Sequence, residues 1–166
     1  MDVAGLLLEL YGRIPPLVAE AVEGLDAEGL AWRPGPESNS IGWLVWHLAR
    51  VQDHHLAELL DGEQLWPDWA DRFGREPDPH DTGYGHRSDD VASVRPPSPD
   101  VLVAYQADVH ARMVAYIGSV ASADLDRVVD TRWDPPVTLG VRLVSVADDC
   151  LQHAGQAALV RGLLGR

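Results

Sequence analysis

Lysine is absent from the 166 residues, so all 13 basic residues are arginine. An absence that runs the length of the chain is read as the codon bias of a GC-rich genome and not as chemistry at any site. Cysteine occurs once, at Cys150, which excludes a disulfide within the chain and a cysteine-based zinc finger. Basic charge is scarce: 13 arginines stand against 26 acidic residues, a net charge of −13. Nucleic-acid affinity comes largely from cations on phosphates, and no basic run exists to supply it. Nucleic acids and anionic membranes are therefore not expected partners. No apolar run approaches the roughly 18 residues of a membrane span, and no basic-then-apolar leader opens the chain. No membrane association and a cytoplasmic location are the expectations. Also missing are GxGxxG, the phosphate-cradling P-loop pattern and a GxSxG elbow. No stretch alternates long enough for a sheet, which removes a Rossmann-type cofactor site.

What remains is an ordinary globular balance, 46% hydrophobic and 23% charged, in a length that suits one domain over 1–166. Leu6, Leu7, Leu10, Ile14, Leu17, Val18, Val22 and Leu25 recur with a helical period, and Pro15-Pro16 predicts a kink or break there. Asp26 to Ser38 reads as a connection. Ser38, Asn39 and Ser40 offer N-caps to a helix over about Ile41 to Leu60, closed by Gly62. Gly62 to Pro99 is rich in Gly and Pro, with one short helix expected over Trp66 to Phe73. The tryptophans there argue for a packed loop, partly burying Trp66 and Trp69, and against disorder. A third long helix is expected from Ser98 or Pro99 to about Val120, a helical turn within Ser122 to Asp130, and extended chain over Arg132 to Thr138. The last helix is expected from about Val141 to Leu164. Four long amphipathic helices and one long crossover loop predict an all-α four-helix bundle, up-down with that loop as crossover.

Asp149 and His153 stand four residues apart, on one face of the last helix. This is how a helix presents two ligands to one metal, and His47 on the second helix is the candidate third. Two imidazoles and a carboxylate suit a divalent transition metal and leave a coordination position open. The same spacing also fits a solvated surface pair worth a few tenths of a kcal/mol, and His47 alone also fits a core histidine. His54 and His55 diverge by about 100° around the helix, so only one is expected to face inward. His54, two turns from His47 on the same face, would sit near such a metal but too far to share it, and also reads as a polar residue at the bundle rim; His110 on the third helix is a reserve candidate for the pocket and also reads as a solvated surface histidine. His80 and His86 lie in the long loop among Asp78, Asp81, Asp89 and Asp90. Cys150 falls on the apolar stripe as an inert buried thiol.

Two stretches carry a resemblance: Asn39-Ser40-Ile41-Gly42-Trp43-Leu44-Val45-Trp46-His47-Leu48-Ala49-Arg50-Val51, and Asp149-Cys150-Leu151-Gln152-His153-Ala154-Gly155-Gln156. They resemble the DinB-like superfamily, close to the metal-binding domain of mycothiol-dependent maleylpyruvate isomerase. The resemblance implies a four-helix bundle holding a divalent metal, zinc or alternatively nickel, on His47, Asp149 and His153. Where the isomerase pattern has Glu, this chain has the shorter Asp149.

The resemblance further implies a small-molecule substrate and a mycothiol-like thiol cofactor. The expected chemistry is metal-dependent S-transfer or isomerisation of an electrophile. His54, His110, Tyr84 or His86 would be the proton donor and the Gly62–Pro99 loop the lid. Metal-bound water acting as the nucleophile is the hydrolytic variant. The alternatives are a non-catalytic, metal-containing bundle that binds small molecules or serves in stress response, and a bundle without metal. An apolar helix face leaves room for a homodimer.

Overall fold

A computed structural model describes residues 1–165. They are mostly helical, in the order α1 (Val3–Tyr11), α2 (Ile14–Val22), α3 (Ala27–Ala31), α4 (Ile41–Leu60), α5 (Trp66–Trp69), α6 (Ser88–Ser93) and α7 (Pro99–Ile117). A small ribbon of β1 (Val128–Asp130) and β2 (Val137–Thr138) precedes α8 (Leu139–Leu164). The ribbon is antiparallel.

Local chemistry sets the helix ends. The break between α1 and α2 falls just before the prolines, which occupy the first turn of α2, where a missing N–H costs nothing. The α4 helix opens on Ser40, whose hydroxyl accepts from Trp43 N at 3.1 Å. It closes on Asp61, at φ 48°, and Gly62 N then donates to Ala57 O. The left-handed cap is thus Asp61 and not the expected Gly62; Asp tolerates this conformation better than most side chains. The expected connection over 26–38 contains α3, because the Asp26 carboxylate caps Gly29 N at 2.8 Å and Leu30 turns into the core. Helix α6 was also not expected within the long loop; the Asp90 carboxylate caps its start by accepting from Arg87 N at 2.9 Å. The ribbon escapes periodicity because its strands are 3 and 2 residues long.

Helix α4 packs against both α7 and α8, and α2 packs against the same two, so the core lies between these four helices. Tyr105, Val109, Met113 and Ile117 of α7 meet Leu143, Ala147, Cys150 and Ala154 of α8 in a single core. The segment between α4 and α7 packs onto one flank of α4. Trp66 and Trp69 are buried outright, more deeply than expected, and Trp66 contacts Trp46, Phe73 and Tyr105.

A buried ion pair on α4 fastens this segment. Arg50, 0% exposed, donates to the carbonyls of Pro79 and Asp81 and to Gln64 Oε1, and lies over the Trp66 ring. Asp53, one turn on, accepts from Leu65 N, Trp66 N and the Tyr105 hydroxyl at 2.8–2.9 Å. Each buried charge is met by several partners, the condition under which such a pair is tolerable.

Candidate metal centre

Helix α4 carries His47 and α8 carries Asp149 and His153 to the place where the two helices face each other. One ligand atom from each lies within 4.8 Å of the other two. His47 Nε2 is 3.9 Å from Asp149 Oδ2, and His153 Nε2 is 3.6 Å from Asp149 Oδ1. Ligands about 2.1 Å from one tetrahedral ion stand roughly 3.4 Å apart, so the three atoms would have to draw together slightly to bind an ion.

The hydrogen bonds set the tautomers. His47 Nδ1 lies 2.5 Å from the Thr82 carbonyl, which can only accept, so Nδ1 carries the proton and Nε2 presents its lone pair. His153 Nδ1 likewise donates to Gln156 Oε1 at 2.8 Å, so in the neutral ring Nε2 is the free base; protonated, the same nitrogen faces Asp149. Metal-binding histidines typically engage an oxygen through the nitrogen that does not bind the ion. Asp149 Oδ2 is buried and has no hydrogen-bond partner among the described residues, an unsatisfied acceptor in a carboxylate flanked by two imidazole nitrogens. A cation satisfies all three groups at once.

Aromatic packing holds the rings in place. His47 stacks on Trp43 with centroids 4.6 Å apart, and His153 meets His47 edge-on at 4.7 Å. The 82–83 segment closes over His47. At Gly83, φ is +90° and an added Cβ would lie 2.8 Å from His47 Nδ1, so only glycine fits there. Trp43 Nε1 donates to His86 Nδ1, and His86 Nε2 then donates to Asp81, which also accepts from Arg75. Burial lowers the His47 imidazole below its ordinary value, outweighing Thr82 and Asp149. Burial also pulls on His153, but hydrogen bonds to Asp149 and Gln156 and the Asp149 charge leave it raised.

A cavity of about 540 Å³ opens beside the cluster. From His47 and Asp149 it runs past Val51, Thr82 and Ser145 to His54, His55 and Arg142, with Tyr84 and Trp133 also on its wall. Both His54 and His55 line it, contrary to the expectation that only one faces inward. The cavity wraps around α4 far enough to reach two adjacent faces: Gln64 of the loop holds His54, and Arg142 of α8 approaches His55.

The tautomers of this second group differ. Gln64 Oε1 accepts from Arg50 and its Nε2 donates to Pro79 O, so the same amide nitrogen donates to His54 Nδ1. His54 Nε2 therefore carries a proton. His55 Nδ1 donates to Glu58 Oε2 at 3.0 Å. Glu58 also accepts from Arg132, and Arg142 donates to Asp130 at 2.6 Å. His54, His55 and Glu58 also lie close enough together to hold an ion, but the protonated His54 Nε2 and the nearby arginines favour hydrogen bonding over metal binding. His110 is half-buried on α7 and is not among the residues lining the cavity. His80 lies on the exposed loop. Cys150 is fully buried with its thiol toward Leu48 O, and burial raises it well above its ordinary value.

Sequence reading did not single out Thr82 or Gly83 over His47, nor Arg142, Asp130 and Trp133 on the cavity wall. Gly83-Tyr84-Gly85 is a visible turn signal. Nothing in the sequence tells which ring it would cover.

The chain matches the family model described as mycothiol-S-transferase over residues 16–165. It is also similar to a solved structure described as the conserved protein of locus from Enterococcus faecalis. That likeness has 31% identity, covers 100% of this chain and 99% of the other, and has a TM-score of 0.91. No curated protein matches the chain.

Proposed function

This chain belongs to the mycothiol-S-transferase family of DinB-like proteins, and from that premise we propose that it is a divalent-metal-dependent enzyme transferring a low-molecular-weight thiol to an electrophilic small molecule. In this reading the four packed helices are a DinB-like four-helix bundle, with the segment between α4 and α7 as its crossover. His47, Asp149 and His153 hold the ion, zinc by the chemistry of two imidazoles and one carboxylate, through His47 Nε2, His153 Nε2 and an Asp149 oxygen. The observation that carries the reading is the pair of Nε2 lone pairs beside the Asp149 carboxylate, whose Oδ2 is buried with no hydrogen-bond partner among the described residues.

Three protein ligands leave room for an exogenous one. When bound, the ion supplies a Lewis-acid centre at which a coordinated thiol is deprotonated at neutral pH. The chain's own residues do the rest. Thr82 and Gln156 keep both histidines in the ligating tautomer, and Asp149 offsets part of the positive charge. The thiol's proton would be released to solvent. A sulfur–carbon bond then forms with the electrophile as the carbon–leaving-group bond breaks, the leaving group taking the electron pair. His54 lines the cavity with its proton on Nε2, 3.8 Å from Glu58 Oε1, and is proposed as the donor that orients the electrophile or its leaving group. His110, outside the cavity wall, takes no part in the proposal.

The test is conjugate formation between mycothiol and a halodinitrobenzene, followed by mass spectrometry. Metal-loaded protein should exceed the uncatalysed rate at least about a hundredfold, the lower end of what positioned catalytic groups contribute. The His153→Ala variant should fall to the background. Thiol binding without any rate increase would make the protein a metal-containing binder.

A further inference from the structure

Eleven aromatic side chains occur in the chain, six Trp, four Tyr and one Phe. Nine are buried or half-buried. The two exposed ones, Tyr84 at 92% and Trp133 at 64%, both line the same cavity, the one that begins at His47 and Asp149. They come from separate segments, Tyr84 from the loop before α6 and Trp133 from the turn between β1 and β2. Exposed indole and phenol rings cost hydration free energy until something covers them. Both contribute to the wall of one cavity, where exposed aromatic rings are a common means of holding a ligand.

We propose that Tyr84 and Trp133 form a stacking subsite for a saturated, polyhydroxylated ring: the carbohydrate portion of the thiol whose sulfur is placed at His47, Asp149 and His153. The proposal rests on the thiol-transfer reading of that cluster. The ring faces give the C–H edge of a sugar an apolar platform. Arg132, Thr82, Ser145 and Asp130 share the cavity wall and offer donors and acceptors to hydroxyl groups. Arg132 and Asp130 are already paired with each other, and the Ser145 hydroxyl donates to Val141 O, so a polyol would use the lone pairs and N–H groups these bonds leave over. The volume agrees, since about 540 Å³ is far more than a cysteine-sized thiol fills and is in the range of a drug-sized ligand. The subsite would thus set which thiol is accepted, and the cluster would act on its sulfur.

The experiment compares mycothiol with N-acetylcysteine, its thiol-bearing fragment without the rings. Binding to metal-loaded protein is measured by calorimetry for wild type, Trp133→Ala and Tyr84→Ala, with metal content determined on each sample. Wild type should bind mycothiol at least about tenfold more tightly than N-acetylcysteine. Each variant should lose roughly three- to tenfold in mycothiol affinity, with N-acetylcysteine affinity and metal content unchanged. Both residues are exposed, so their truncation leaves the core intact. Equal affinity of wild type for the two thiols, or variants that keep the full preference, would overturn the subsite while leaving the metal–thiol reading in place. Failure of metal-loaded wild type to bind either thiol would overturn the underlying reading, and the subsite with it.

Discussion

His47 and Thr82, 35 residues apart in sequence, meet at 2.5 Å between the imidazole Nδ1 and the backbone carbonyl. This one bond decides which nitrogen of His47 faces Asp149. It makes a loop residue with no ligand atom of its own a determinant of the site. Arg50 holds the preceding carbonyls, and Gly83 allows the close approach.

Gly83→Ala should therefore weaken metal binding without touching a ligand. The new methyl group would lie 2.8 Å from His47 Nδ1 and require a strained backbone at φ +90°. Shifting Thr82 off His47 should cost roughly ten- to a hundredfold in metal affinity, as loss of an outer partner does. Competition with a chromophoric chelator measures it; unchanged affinity would show that the loop does not position the ring.

His153→Ala should lose stoichiometric metal and keep the fold. The residue is only half-buried at the edge of the core, so its removal makes no large cavity. Asp149 then faces an open cavity that water enters, not a dry core. Circular dichroism and elemental analysis on the same sample check both halves: unfolding would make His153 structural, and a retained equivalent of metal would remove it from the ligand set.

Asp53→Ala should be far more damaging than any change at the cavity. It leaves Arg50 buried without its carboxylate and frees Leu65 N, Trp66 N and the Tyr105 hydroxyl. The expected cost is about 3–5 kcal/mol. Tyr105→Phe, which removes one hydrogen bond, should cost about 1 kcal/mol. Urea unfolding separates the two.

Acid should destabilise the metal-free protein before its carboxylates titrate. Burial lowers His54, His55 and His110 below their ordinary value of 6.5. Between that value and their folded values the unfolded chain holds more protons, so stability rises with pH and is lost as pH falls below about 6.5. His47 acts in the same direction. His153, raised in the folded state, acts oppositely; its contribution is present below 6.5 and is lost as pH climbs through the raised value. Four groups outweigh one, so Tm should fall between about pH 7 and pH 5. A Tm flat or rising over that interval would contradict these environments.

Much of this was legible in the sequence because it rests on local rules. The α4 helix runs from Ile41 to Leu60 as read, since Ser40 caps it and nothing inside it breaks the period. The i, i+4 spacing of Asp149 and His153 places them together on any helix. What was not legible depends on approach over long sequence separations. Asp130 meets Arg142 across 12 residues and Arg132 meets Glu58 across 74, through a ribbon too short to leave a pattern. Whether His54 or His55 faces inward depended on the width of the cavity, which no helical wheel contains. Helix α3 was hidden by the Gly and Pro around it, although Asp26 was its cap.

The central claim, a thiol-accepting metal on three named side chains, is tested most directly by X-ray absorption at the metal edge. The sample is protein purified without a metal-affinity tag, before and after addition of mycothiol. One ion per chain is expected, with nitrogen and oxygen neighbours at about 2.0–2.2 Å, and a new sulfur neighbour near about 2.3 Å once thiol is present. Absence of a bound ion, or an ion whose neighbours stay entirely nitrogen and oxygen after thiol is added, would contradict it.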